Sequence, residues 1–185
     1  MTIVVGSIFL VALMLAGVFL LFLKKVPPDK AMIIVTPRGS HVVRNHAVVY
    51  PLIHHAELID LTTKAIPVTR AGADALVTRD DQRVDVTATF HLRVPDNAES
   101  ILDVAKKVGC ERAGDVSRLR ELFEARFARA LADAVRALNR RDLDGAKRER
   151  AEETALAALG DTLDGMQCER ITVDRVEPTE RRHDP

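Results

Sequence analysis

Arg83–Val94 reads RVDVTATFHLRV, in which Val84, Val86, Ala88, Phe90, Leu92 and Val94 alternate without a break with Arg83, Asp85, Thr87, Thr89, His91 and Arg93. Successive side chains of a strand point to opposite faces, so the run predicts one long strand with a buried face and a wet face. An antiparallel sheet covered on one side fits this best. Pro95 ends it.

Downstream the period changes. Asp96-Asn97-Ala98-Glu99 has capping-box spacing with Asp96 at the cap. The helix it opens should run through Val108 and stop at Gly109, where a left-handed cap suits glycine. A longer helix is expected from Val116 to Asn139. There Leu119, Leu122, Phe123, Phe127, Ala130, Leu131, Ala134, Val135 and Leu138 recur at steps of three and four and form one apolar stripe. A third helix is expected from Ala146 to Leu163, broken by Gly165. Cys168–Val176 then reads as a return strand with Ile171 and Val173 inward, and a polar tail follows over 178–185.

Upstream lie short β-rich runs: Ala31–Val35, Val42–Val43, Ala47–Ile53, Ala56–Thr62 and Ala65–Val68. Pro37-Arg38-Gly39, Asn45 and Pro51 separate them, and Pro51 and Pro67 demote their strands to edges or bends. The order is therefore a β-rich half, then helices, then a closing strand, which is α+β and not the regular alternation of a doubly wound fold.

Ahead of this body, Met1–Leu23 carry no charged side chain. A helix over Ile3–Leu23 would span roughly 30 Å, the thickness of a hydrocarbon core. A cleavable leader would begin with basic residues, whereas here Lys24 and Lys25 follow the apolar run directly. The reading is a single transmembrane anchor over 1–25, a body over 26–177 and the tail. Lys24, Lys25 and Lys30 flank the anchor on its C-terminal side, so the positive-inside rule places the body in the cytoplasm. Val26-Pro27-Pro28-Asp29 is a stiff exit from the membrane, and Ala12 and Ala16 form a small-xxx-small pair of the kind that lets two anchors pack.

Composition narrows the function. Lys plus Arg number 27 and Asp plus Glu number 27, a balance unlike the basic excess of a nucleic-acid binder. Cys110 and Cys168 are far apart, with no CxxC or zinc spacing, and read as two reduced structural thiols. No GxSxG, P-loop, GxGxxG or HExxH is present. Ser40 neighbours His41 in a predicted turn, a weak pair, and His41, His46, His54 and His55 read as exposed turn residues. No cofactor or metal is expected, and no enzyme.

Two stretches carry a family likeness: VPPDKAMIIVTPRGSHVVRNHAVVYPLIHHAELIDLTTKAIPVTR from Val26, and ADALVTRDDQRVDVTATFHLRV from Ala73. In the second, the turn Thr78-Arg79-Asp80 leads into the long alternating strand, which ends in the triplet Leu92-Arg93-Val94. This succession resembles the SPFH, or band 7, domain (stomatin, prohibitin, flotillin, HflK and HflC), and within it the flotillin-like bacterial branch. The resemblance implies an oligomeric, non-enzymatic scaffold at the inner membrane that contacts lipids and SPFH-type subunits and organises microdomains or membrane complexes. The alternative it leaves is an accessory regulatory subunit that docks on a membrane protease, a transporter or a longer flotillin-like partner. Flotillin-like proteins usually continue into a long coiled coil, whereas this sequence runs to Pro185. The candidate partner-facing residues are Arg118, Glu121, Glu124, Arg126 and Arg129 on the polar side of the long helix.

Overall fold

The structure, a computed structural model, describes residues 10, 13, 14, 17, 23–36, 39–44, 46–48, 55–143, 148–160 and 162–179. Most of the expected anchor, Ala12 and Ala16 included, lies outside these residues. Leu10, Leu13, Met14 and Gly17 are helical, and among the described residues no helix is long and apolar enough to cross a membrane. The chain divides into two compact units, 1–60 and 61–185.

In the first unit, β1 (Leu23–Lys25) pairs antiparallel with β4 (His46–Val48). The helix expected to continue through Leu23 does not. Val26 precedes a proline and is barred from the helical region, so the chain is already extended here, and pairing with β4 engages its backbone. β2 (Lys30–Thr36) forms the middle of a three-stranded antiparallel sheet, between β3 (Gly39–Val43) and β5 (His55–Asp60). Ala31, Met32, Ile33 and Ile34 are all buried, which is why this strand reads as a continuous apolar run and not as an alternation. Met32 and Ile34 pack with Val26 and Val43 in a small core. Of the expected strand Ala47–Ile53, residues 49–53 lie outside the described residues, as does His54.

The second unit is built on β8 (Arg83–Arg93), the alternating run. Val84, Val86, Ala88, Phe90 and Leu92 are all at most 1 % exposed, and the residues between them are open or half-buried, as the alternation requires. β6 (Lys64–Arg70) and β7 (Leu76–Val77) both line one flank of β8, and β9 (Gln167–Pro178) lines the other, all antiparallel. Pro67 therefore sits on an edge strand, as its missing N–H demands.

β9 carries two register shifts against β8, between Thr87 and Ala88 and between His91 and Leu92. Each inserts one residue, Asp174 and Glu169 respectively. These bulges keep Cys168, Ile171 and Val173 on the buried side although their spacing is three and then two.

Helices cover the buried face. α1 (Ala98–Lys107) is capped by Asn97, whose side chain accepts the Ser100 N–H at 2.7 Å. The cap is thus Asn97 and not Asp96, and Ser100 rather than Glu99 holds the third helical position. The register slips by one because Asn97 N–H already donates to Pro95 O at 2.9 Å, folding Asp96 into the preceding turn. Asn97→Ala should cost about 1 kcal/mol in urea unfolding, whereas Asp96→Ala should cost less. Equal losses would contradict the assignment. Gly109 ends this segment at φ +92°, ψ 144°, backbone open essentially to glycine alone.

α2 (Cys110–Gly114) leads into α3 (Val116–Arg136), capped by Asp115, which accepts from the N–H groups of Ser117 and Arg118. Leu119, Phe123, Phe127, Ala130, Leu131, Ala134 and Val135 are buried; Leu122, expected in the same stripe, is 47 % exposed. It lies at the margin of an apolar arc whose centre the two phenylalanines occupy. The Phe127 ring stacks on Phe90 with centroids 4.3 Å apart, and Phe123 tilts against Phe127 at 6.0 Å. α3 stops short of Asn139: Ala137 closes it, and α4 (Arg140–Leu143) starts anew. α5 (Arg148–Leu159) packs against α3 and β9. It ends at Leu159, before the expected Leu163, because Gly160 takes φ +81°. Asp164-Gly165 is no helix stop but the centre of a tight turn in which Leu163 and Met166 exchange backbone bonds of 2.7 and 2.9 Å. Asp164 and Gly165 both take positive φ, the mark of mirror-image hairpin turns and of Asp-Gly sequences.

Candidate functional site

The turn Thr78-Arg79-Asp80, which sequence singles out only as the start of a hairpin, is a junction between sheet and helices. Thr78 is the one buried polar residue among those described, at 2 % exposure. Its hydroxyl donates to Asp80 Oδ1 at 2.6 Å and accepts the Gln82 N–H at 3.2 Å. Asp80 Oδ1 then accepts the Arg140 N–H at 3.1 Å, and the Arg79 N–H donates to Leu138 O at 2.9 Å. The end of α3 and the start of α4 are thereby fixed to the turn before β8. This explains why the long helix breaks at this point.

The Thr78 hydroxyl bond, seconded by the Arg140 backbone N–H, holds the Asp80 carboxyl below its ordinary 3.8. A carboxylate depressed in the folded state stabilises fully above its unfolded pKa and loses that contribution as pH falls through the folded one. In urea titrations the wild type should exceed Asp80→Asn at neutral pH, and the gap should close below about 3.8. A gap that does not change with pH would contradict this linkage.

The partner-facing helix residues divide into two groups. Glu124 pairs with Arg70 of β6 at 3.5 Å, and Arg126 reaches Asp164 at 3.4 Å while lying over the Phe123 ring at 5.9 Å. Both are used to seat α3 within its own unit. Arg118 pairs with the cap residue Asp115 at 3.5 Å, while Glu121 and Arg129 are exposed. The open face is therefore Arg118, Glu121 and Arg129 around the exposed Leu122. Exposed ion pairs of this kind contribute at most about 1 kcal/mol each.

Of the lysines expected to flank an anchor, Lys24 and Lys25 stand opposite Ala47 and His46, and Lys30 opens β2 opposite Asp60. His41 and His55 are one residue out of step, opposite Ile34 and Val35. Ser40 and His41 lie in a strand and not a turn, so their side chains leave on opposite faces. Among the described residues no cluster of three His, Cys, Asp or Glu side chains is placed to hold a metal ion. Cys110 and Cys168 are buried and form no disulfide. Burial pushes the Cys168 thiol up to about 11, so it stays protonated and unreactive at neutral pH.

Sequence reasoning gives the sheet of the second unit a wet face but does not find the side-chain network on it. Thr69 and Thr87 share a hydroxyl bond of 3.4 Å, Thr89 donates to Asp174 at 2.6 Å, and Glu169 binds Arg93 Nε and the Thr63 hydroxyl at 3.1 Å each. The two bulged residues of β9 thus aim carboxylates along this face. Beside Glu169, a cavity of about 460 Å³ is lined by Thr63, His91, Glu169 and Arg170.

An antiparallel strand-rich half, an alternating strand led in by Thr78-Arg79-Asp80, and covering helices closed by a return strand define an SPFH-type domain. The chain belongs to the SPFH domain / Band 7 family, whose model matches residues 24–182. Within it the chain is flotillin-like. It is 27 % identical over 143 residues to the flotillin family inner membrane protein YqiK of Escherichia coli, covering 77 % of this chain and 26 % of that protein. It is 25 % identical over 142 residues to the flotillin family inner membrane protein sll1021 of Synechocystis sp., covering 75 % of this chain and 21 % of that protein. The chain thus spans about a quarter of the length of these relatives.

Proposed function

We propose that this protein is a membrane-anchored SPFH scaffold that organises membrane microdomains or membrane protein complexes by contact and not by catalysis. The family match over 24–182 carries the reading. It begins where the uncharged stretch Ile3–Leu23 gives way to Lys24 and Lys25, which supports an anchor immediately ahead of the domain. Both relatives named above are inner membrane proteins by name, which supports the same membrane here. The three flanking lysines favour a cytoplasmic body, each adding modestly to attraction for an anionic leaflet.

In cells, the chain should stay in the pellet after alkaline carbonate extraction, and a C-terminal tag should resist protease until the inner membrane is opened from the cytoplasmic side. Release by carbonate would remove the anchor. The alternative role is an accessory subunit on a membrane protease, a transporter or a longer flotillin-like protein. Crosslinking in native membranes separates the two. A ladder of self-multiples supports the scaffold, and a single adduct with one larger protein supports the accessory role.

A further inference from the structure

β9 pairs with β8 along one edge, and among the described residues no strand pairs with its other edge. α5 runs beside that free edge. Between them lies a cavity of about 210 Å³ whose lining includes Glu149, Glu152, Glu153, Leu156, Glu169 and Ile171. Val173 turns its N–H out of this edge and donates to Glu152 Oε1 at 2.9 Å. Alternate residues of a strand direct their backbone groups to the same side, so Ile171 presents its N–H and C=O inside the groove. Such an edge is a template for an added strand.

Charge decides what that strand must carry. Glu152 is engaged by Val173, and Glu169 by Arg93 and Thr63. Glu149 and Glu153 stand one helical turn apart, both exposed, and among the described residues no cation is paired with either. Like charges at that spacing repel, and a cation between them relieves the repulsion. Arg170 is the one cation on the lining, and Ile171 and Leu156 supply apolar floor. An added strand sends alternate side chains to both faces. One set would meet α5, and the other would cross the edge toward the cavity of about 460 Å³ at Thr63 and His91.

We propose that the groove between α5 and β9 is a β-addition site for an extended, Lys/Arg-bearing peptide segment of a partner protein. The segment runs beside Gln167–Ile171, pairs with the backbone of Ile171 and sets its cations on Glu149 and Glu153. Glu152, already on Val173, limits how far along β9 it extends. The site does not depend on the scaffold reading.

The probe is a fluorescent peptide of alternating Val and Lys, titrated by anisotropy onto the full chain in mild detergent. Two controls accompany it: the alternating Val-Glu peptide, and the Val-Lys peptide N-methylated at every second residue to block strand pairing. Val-Lys should bind saturably and slow amide exchange at Ile171, and both controls should bind at least about ten-fold more weakly. Glu149→Gln with Glu153→Gln lies on an exposed face and should weaken Val-Lys binding by about ten-fold while leaving the circular dichroism unchanged. Equal binding of the N-methylated peptide would show ionic adsorption without strand pairing and overturn the proposal. So would an unaffected double variant, or no saturable binding. A self-assembly lost in the double variant would assign the edge to a second copy and overturn it too.

Discussion

Phe127→Ala should lower stability by about 3–5 kcal/mol, the loss expected when a large aromatic side chain is removed from a packed core. The ring is fully buried, stacks on Phe90 at 4.3 Å and touches Phe123 at 6.0 Å. Removing it takes away both the transfer free energy of an aromatic side chain and the joint between α3 and β8. The chain has no Trp, so no larger apolar side chain stands by to fill the space. Urea unfolding of the full chain in mild detergent, followed by far-UV circular dichroism, gives the number. A loss under about 1 kcal/mol would mean that α3 is not seated on the sheet through this stack.

Gly165→Ala should cost about 3 kcal/mol, although it only adds a methyl group. Two penalties combine. The residue sits at φ +92°, and a Cβ there would come within 2.9 Å of Val104 Cγ2 and 3.0 Å of the Val104 backbone nitrogen. The backbone of α1 cannot yield as a flexible side-chain tip would. Gly160→Ala is the internal control, because Gly160 has φ +81° but nothing within 4 Å of a new Cβ. It should lose only the left-handed backbone cost, about 1–2 kcal/mol. If both variants lose the same amount, the Asp164-Gly165 turn does not press against α1.

Local rules carried much of the fold into the sequence. The alternation in Arg83–Val94 gave both the strand and its buried face, because period two has no competing reading over that length. The stripe from Leu119 to Val135 likewise gave the covering helix. What failed was set by tertiary partners. Leu122 shares the helical spacing of the stripe yet faces outward, since Phe127 stacks on Phe90 and Phe123 packs against Phe127 at the centre of the arc. The break of α3 before Asn139 depends on Asp80 accepting the Arg140 N–H from sixty positions away, which no window of sequence contains. The end of α5 falls short of the expected Leu163 because Gly165 by itself reads as a helix stop, although Asp-Gly is a hairpin signal.

The candidate surfaces were less legible. Glu124 and Arg126 looked like members of one open polar face, but Arg70 and Asp164 claim them. The free edge of β9 was hidden by its bulges. Apolar residues at 168, 171, 173 and 176 are spaced three, two and three, and that broken alternation was the only trace that Glu169 and Asp174 would be displaced onto the wet face.

The scaffold reading stands or falls on assembly, so the most direct measurement is the mass of the full chain in mild detergent by light scattering. The account predicts a large, uniform oligomer, which would show that anchor and SPFH-type domain together suffice to build it. A monomer or dimer across the accessible concentration range would contradict an autonomous scaffold and leave a subunit that works only on a partner.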